Sequence, residues 1–266
     1  MNIIRICILC FLIIILIGSM TVYINEPFDG MNALNVEAPP VLIVSRYSET
    51  LDWLNEEPAA SFPTIIYNKG SDENYTTNVN TIRTVNTANL GRCDGTYVRF
   101  IVENYDNLPD VMVFLPGSAN MDNKKEKMRL LLEKVQREPR TTSFVNYPPE
   151  KLDPNDEADH SELYNFQLDD WTASNKLNQH INSESALAPA RIRPYGKWFE
   201  TVLGEKFSHR YGNAGIFGIF AVSKHDVLKR DKDFYVDLLE QLEVSSNPEV
   251  GHYCERSWPV IFQSSL

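Results

Sequence analysis

The sequence predicts an α/β domain in which a mostly parallel β-sheet is flanked by helices and preceded by one N-terminal transmembrane helix. Short apolar runs rich in β-branched residues alternate with segments of helical periodicity. This alternation is typical of parallel sheets whose strands are joined by crossover helices. At the N-terminus, a charge-free apolar stretch has about the length that a helix needs to cross hydrocarbon.

The apolar stretch covers residues 6–24 and follows a short tail, residues 1–5, that contains Arg5. Glu26 and Asp29 come after it, so the positive-inside tendency places the N-terminus in the cytoplasm and the remaining chain in the lumen. We therefore expect a single-pass type II membrane protein of the Golgi or the endoplasmic reticulum. The competing interpretation is a cleaved signal peptide, whose apolar core is usually about half as long.

A polar stem over residues 25–40 precedes residues 41–266, which are enough for one α/β domain. The chain has a formal net charge of -11, and such an acidic protein repels phosphate backbones. We therefore expect no nucleic acid among its partners. Cys93 and Cys254 lie on the lumenal side, and the sequence leaves open whether they form a disulfide or remain free thiols.

Three buried strands are predicted at residues 41–45, 64–68 and 111–115, because each run is apolar and rich in β-branched side chains. A fourth strand is predicted at residues 214–223, where apolar residues alternate with glycine and alanine as in a close-packed inner strand. Residues 71–90 are rich in Asn and Thr, which predicts a long loop.

Helices are predicted between and after these strands. Ser48 and Asp94 are candidate N-caps for helices over residues 48–57 and 94–105. Further helices are predicted at residues 124–136, 195–203 and 231–242, and a last one at residues 249–262 that is bent or restarted at Pro259. Residues 138–191 are polar and carry an acidic cluster, which predicts an insertion or lid within the domain.

Polar residues follow the predicted strands at the places where ligands of open α/β sheets bind. Arg46 and Lys69 provide positive charge there that suits a pyrophosphate, and Ser118 follows the third strand. The alternative is that loops after strands are polar for general reasons. Arg92 precedes the helix that Asp94 is expected to cap, and a helix N-terminus beside an arginine attracts anions.

Two groups of carboxylates are candidates for chemistry. Asp169 and Asp170 are a loose DxD-type pair of the kind that holds Mg²⁺ or Mn²⁺ against a diphosphate, although adjacent aspartates in a polar loop are commonly only solvated. Glu255 lies in an aromatic, semi-apolar stretch, where a desolvated carboxylate is tuned toward general base work. Arg256 beside it is a further candidate substrate-binding residue. The alternative is a structural ion pair between Glu255 and Arg256.

Several strings of the chain occur in the order found in a eukaryotic family catalogued as domain of unknown function 3431: VSRYSETLDWL, IIYNKG, TYVRFIVENYDNLPDVMVFLPG and GHYCERSWPVIF. The resemblance spans residues 41–262. The layout of that family is similar to GT-A-like glycosyltransferases, so the resemblance implies a GT-A/Rossmann-like fold. It also implies that Glu255 lies near the acceptor, and that Arg46 and Lys69 lie near the nucleotide.

These features predict a membrane-anchored enzyme that transfers a sugar from a nucleotide donor to a glycan acceptor, with Mn²⁺ or Mg²⁺ as the candidate cofactor. The alternative is a catalytically silent glycan-binding or scaffold protein. Two departures from the family favour it, because Cys93 stands where the family usually has Glu, and no His follows Gly117 closely. A hydrolase is disfavoured, since Ser118 lacks the G-x-S-x-G spacing of a nucleophile elbow.

The predicted topology can be tested at Asn74, which begins a glycosylation sequon that is credible only on the lumenal side. We expect a glycosidase-sensitive shift in the mass of the protein made in cells, and loss of that shift in Asn74→Gln. The control is protease treatment of sealed microsomes, which should leave residues 41–266 intact. Digestion of the domain from the cytosolic side would contradict the type II orientation.

Overall fold

The computed structural model describes residues 38–72, 75, 77–149, 157–168, 187–208 and 213–262. Residues Pro39–Leu266 form one compact unit. Within the described ranges, no helix is both long enough and apolar enough to cross a bilayer. Several predicted features lie outside the described residues: the anchor at residues 6–24, most of the stem, Asn74, Asp169 and Asp170.

Five strands form one sheet in the order β3-β2-β1-β4-β5. The strands are β1 Val41–Arg46, β2 Thr64–Asn68, β3 Thr81–Asn86, β4 Val111–Pro116 and β5 Phe220–Ser223. The first four are parallel, and β5 runs antiparallel to β4. The predicted α/β class with a mostly parallel sheet is therefore confirmed. The three inner strands are buried along their whole length because both faces of the sheet are covered.

Two strand predictions are wrong in part. The predicted loop over residues 71–90 contains β3, an edge strand whose side chains are largely exposed and which therefore lacks an apolar run. The predicted inner strand at residues 214–223 is shorter and begins at Phe220. It forms an edge of the sheet, and the backbone of Ser143 pairs with Ala221 along its outer side.

Helices cover both faces of the sheet. They are α1 Arg92–Asn104, α2 Lys125–Arg137, α3 Glu157–Tyr164, α4 Tyr195–Trp198, α5 Lys224–Val227, α6 Lys232–Leu242 and α7 Glu249–Ile261. A π-helical turn, Phe199–Leu203, continues α4, and α7 runs through Pro259 without restarting. Residues of α1, α6 and α7 pack on one face of the sheet, and residues of α2 pack on the other.

The helix predicted at residues 48–57 is also wrong. The segment forms two short 3₁₀ helices, Asp52–Asn55 and Ala59–Ser61, and Ser48 caps neither of them. The carboxylate of Glu49 accepts hydrogen bonds from the backbone amides of Tyr47 (2.7 Å) and Ser48 (3.0 Å), which folds the start of the segment into a loop.

The core depends on Phe114, which is fully buried in β4 and contacts the rings of Tyr97 (4.7 Å between centroids) and Phe220 (5.3 Å). We expect Phe114→Ala to lower the free energy of unfolding by about 3–5 kcal/mol, because it leaves a cavity beneath α1. The matched control is Ile82→Ala on the edge strand, where half of the side chain is exposed and the expected change is within about 0.5 kcal/mol. Equal losses in denaturant unfolding would contradict this assignment of the core.

Candidate active site

The candidate site lies at the edge of the sheet where the parallel strands end, and α1 and α7 supply its carboxylates. Asp94 of α1 is fully buried, and its Oδ1 accepts a hydrogen bond from the indole Nε1 of Trp258 on α7 (3.1 Å). Glu255, one turn earlier on α7, is partly exposed. Possible ligand atoms of Cys93, Asp94 and Glu255 all lie within 4.8 Å of one another. Two helices distant in sequence therefore form one acidic pair beside a thiol.

Burial favours the protonated, neutral form of Asp94 in this arrangement. Burial, with the neighbouring Glu255 carboxylate as the second cause, raises the pKa of Asp94 to about 8. The Sγ of Cys93 lies 3.6 Å from Oδ2 of Asp94, and burial raises the pKa of this thiol as well. The pair therefore combines a buried carboxyl group of raised pKa with a more accessible one, which suits proton transfer.

Two cationic side chains flank the acidic pair. Arg92 donates to Oδ1 of Asn247 (3.1 Å) and to Nε2 of His252 (3.1 Å). Burial, together with the charges of Arg92 and Arg256, lowers the pKa of His252 to about 2, so this imidazole is neutral and accepts the hydrogen bond.

The second cation is Lys124, which precedes α2 and whose Nζ donates to Oγ of Ser118 (2.8 Å). Burial lowers the pKa of Lys124, and the charges of Cys93 and Glu255 oppose this shift, so its ammonium lies within electrostatic range of Glu255. Ser118 thus reaches the candidate site through Lys124. Positive charge from the start of α1 and from the residue before α2 thus lies near the carboxylates, at the end of the sheet where α/β folds bind ligands.

A family model described as "Protein of unknown function (DUF3431)" matches residues 41–266. The chain belongs to this family. The match includes all five strands and the whole acidic pair, and it confirms the family resemblance seen in the sequence. Neither the search of curated proteins nor the search of solved structures found a match.

In this DUF3431 domain, Lys69 supports the backbone that carries the site. Its Nζ donates to the carbonyl oxygens of Leu90 (2.5 Å) and Arg92, and burial lowers its pKa to about 8. The turn that it holds is left-handed, with φ of 70° at Gly91 and 52° at Arg92. Gly91 is required there, because a Cβ would lie 2.7 Å from Cα of Gly95.

Arg46 ends strand β1, as Lys69 follows strand β2, and it is almost fully buried. It donates to the backbone oxygen of Glu49 (2.7 Å), to Oδ1 of Asn68 (2.7 Å) and to the backbone oxygen of Asp72 (2.9 Å). Its guanidinium also lies 3.8 Å from the ring centroid of Tyr75. The contacts of Arg46 and Lys69 are thus made with this protein's own loops, and their role in phosphate binding stays a prediction.

Arg256 lies beside Glu255 in sequence, but its contacts are elsewhere. It donates to the backbone oxygen of His252 (2.9 Å), and its guanidinium lies 4.0 Å from the ring centroid of Phe166. The predicted cap at Asp94 is wrong, because Gly91 is the N-cap and Asp94 lies buried inside α1. The sequence pattern therefore does not identify Asp94 as a site carboxylate, because an aspartate near a helix start is normally interpreted as a cap.

The described residues do not fit a Mg²⁺ or Mn²⁺ centre well. Cys93, Asp94 and Glu255 are the described group whose atoms are close enough to share an ion. These hard cations prefer several oxygen ligands, whereas this set offers two carboxyl groups and a thiol, which is a soft ligand. The metal prediction made from Asp169 and Asp170 lies outside the described residues.

The buried carboxyl group makes a pH-dependent contribution to stability. The pKa of Asp94 in the folded domain is about 8, against about 3.9 in an unfolded chain. The folded state therefore binds more protons between these values, and the stabilisation is full at low pH and is lost as the pH rises through 8. Asp94→Asn keeps an acceptor for Trp258 but does not titrate. We expect wild-type stability to fall relative to the variant by up to about 1.4 kcal/mol per pH unit.

The measurement is denaturant unfolding of the wild type and the Asp94→Asn variant in the same detergent, from about pH 5 to about pH 8. Asp233→Asn, at an exposed position in the first turn of α6, controls for the loss of one acidic charge. Stability curves for the wild type and Asp94→Asn that stay parallel across this range would contradict a raised pKa at Asp94.

Proposed function

We propose that this domain transfers a sugar from a nucleotide donor to a glycan acceptor, with Glu255 as the general base. The observation that carries the proposal is the pairing of a partly exposed Glu255 with the buried, protonated Asp94 at the carboxyl edge of the sheet. A base for this reaction must reach the acceptor and stay ionised. Glu255 has the accessibility, and the proton on Asp94 avoids a second buried negative charge beside it.

In the proposed step, the acceptor hydroxyl oxygen bonds to the anomeric carbon of the donor sugar. The bond from that carbon to the diphosphate oxygen breaks, and the nucleoside diphosphate leaves with its electron pair. The hydroxyl proton passes to the carboxylate of Glu255. Negative charge grows on the leaving diphosphate, so nearby cations stabilise the transition state.

We assign that electrostatic role to Lys124 and Arg92 rather than to Arg46 and Lys69. Lys124 lies within electrostatic range of Glu255, and Arg92 begins the helix that carries Asp94. Arg46 and Lys69 are buried and donate to backbone oxygens of the surrounding loops, so we propose that they shape the site indirectly.

The proposal also draws on the GT-A-like layout that the family resemblance implies, and on the expected type II anchor. Many lumenal glycan enzymes have a short tail, one anchor, a stem and a catalytic domain. In this proposal, residues 6–24 hold the domain at a Golgi or endoplasmic reticulum membrane. The metal requirement stays a proposal connected to Asp169 and Asp170, and no step above depends on it.

A second candidate is a glycan-binding protein that has kept the fold without the chemistry, and Cys93 favours it. This thiol stands against the buried Asp94, at the position where the family usually has a carboxylate. Cys93→Glu distinguishes the two functions. A silent protein should gain transfer activity with this change, whereas an active enzyme should already transfer sugar with its thiol in place.

The proposed base is tested with Glu255→Gln in the full-length protein. Thermal shifts with UDP-glucose, UDP-galactose, UDP-N-acetylglucosamine and GDP-mannose first identify a donor, because a ligand that binds the folded state raises its stability. With that donor, we expect Glu255→Gln to bind normally and to lose about a hundredfold to ten-thousandfold in transfer rate. Glu240→Gln, on an exposed part of α6, is the matched control and should retain full activity.

Two outcomes would oppose the proposal. If Glu255→Gln loses a few kcal/mol of stability, Glu255 acts as a structural partner rather than as a base. A stable variant that transfers sugar at the wild-type rate would remove Glu255 from the mechanism. If none of the four donors stabilises the protein while a glycan alone does, the binding function replaces the transferase.

A further inference from the structure

Lys127 is a fully buried lysine on α2 whose ammonium donates to three backbone carbonyl groups. The acceptors are the oxygens of Asn213 (2.7 Å), Ala214 (3.0 Å) and Ile216 (2.9 Å). All three belong to one short segment, residues 213–218, which we call the clamp turn. A single side chain thus fixes a turn that lies between residues 209–212, outside the described ranges, and strand β5.

This arrangement is costly for the fold. A buried ammonium loses its hydration, and burial lowers the pKa of Lys127 to about 7. Carbonyl dipoles compensate a charge less completely than a carboxylate does, and Glu255 is the charged group whose field acts on Lys127. An apolar residue would fill the same place on α2 without this cost in desolvation free energy. The lysine is therefore best explained by the turn that it holds.

The clamp turn lies directly against the candidate active site. A Cβ added to Gly215 would lie 2.4 Å from the backbone oxygen of Glu255, so the turn touches α7 at this residue. The oxygen of Gly218 accepts a hydrogen bond from the hydroxyl of Tyr97 (2.9 Å), and a Cβ there would lie 3.0 Å from Sγ of Cys93. The turn therefore packs against one side of the partly exposed thiol and abuts the backbone of the proposed base.

The backbone of the clamp turn is strained, which also indicates that neighbouring contacts hold it in place. Phe217 has φ of 71° and ψ of 0°, a conformation that costs free energy for a bulky L-residue. Such strain persists only where neighbouring contacts restrain the chain, and the bond from Lys127 to the oxygen of Ile216 provides a restraint immediately before it. The ring of Phe217 consequently lies 5.8 Å from Nζ of Lys124.

We propose that Lys127 is a positioning residue that holds the clamp turn against Glu255 and Cys93, and so forms one wall of the active site. The wall keeps water from the acidic pair on that side and sets the ring of Phe217 beside Lys124. The catalytic consequence rests on the proposed transfer function, but the ordering of the clamp turn by Lys127 does not. This ordering can be measured without any substrate.

The test combines hydrogen exchange with thiol labelling of the full-length protein in detergent, both resolved by peptide mass spectrometry. In Lys127→Met, we expect amide exchange within residues 213–218 and iodoacetamide labelling of Cys93 each to accelerate at least about tenfold, because opening of the turn exposes both. Exchange in β1 and β4 should stay near the wild-type rate. Lys125→Met, exposed on the same helix, is the matched control and should change neither signal.

Two further variants keep the proposal falsifiable. Lys127→Arg retains a charged donor and should restore most of the protection of the clamp turn. Gly215→Ala places a methyl group against the backbone oxygen of Glu255 and should open the turn with Lys127 in place. If Lys127→Met does not fold, this variant tests whether the turn shields Cys93. Cys254, fully buried in α7, provides an internal reference for labelling.

Unchanged exchange and labelling in both Lys127→Met and Gly215→Ala would overturn the proposal. So would a uniform loss of protection across the sheet in Lys127→Met, because this is the result of a purely structural role. These outcomes are independent of the Glu255→Gln experiment. If the Lys127→Met variant opens the turn and the wild-type protein shows no transferase activity, the proposed role of Lys127 stands and only the proposed function is rejected.

Discussion

The hydrogen bond between the indole of Trp258 and the buried carboxyl group of Asp94 is the contact on which the candidate site depends. It joins the first turn of α1 to the C-terminal part of α7. The same contact places Glu255 close to Asp94, since Glu255 precedes Trp258 by one helical turn. Burial then raises the pKa of Asp94, so the packing of two helices also creates the acid–base character of the pair.

Buried cations organise the loops around this contact. Arg46, Lys69 and Lys127 each direct charged donors at backbone oxygens, and each fixes a different loop at the same region of the domain. Loops at the end of a sheet lack ladder partners for their carbonyl groups, and buried carbonyl groups need donors. A long basic side chain reaches several of them at once. The site is thus held by charge-assisted hydrogen bonds in places where secondary structure ends.

Local sequence places some residues of the candidate site, and contacts between distant segments decide others. Glu255 is one member of the acidic pair and Arg92 lies beside the other, and their roles in catalysis and binding stay predictions. Asp94 was interpreted as a helix cap, because an aspartate near a helix start normally is one. Only its burial beneath α7 gives it another role. The sequence predicts a helix over residues 124–136 but gives no role to Lys124 or Lys127, since a lysine pattern does not show which ammonium groups the fold encloses.

The sequence by itself determined the α/β class, the inner strands and most helices, because apolar periodicity and β-branched runs are local properties of the chain. It also determined the family, through motifs that extend along the whole domain. Tertiary structure alone decided that β3 is an edge strand, that Asp94 meets Glu255, and that Lys127 holds the clamp turn. These features depend on burial and on contacts between segments far apart in sequence, and the free energies of desolvation and packing that set them exist only in the folded chain.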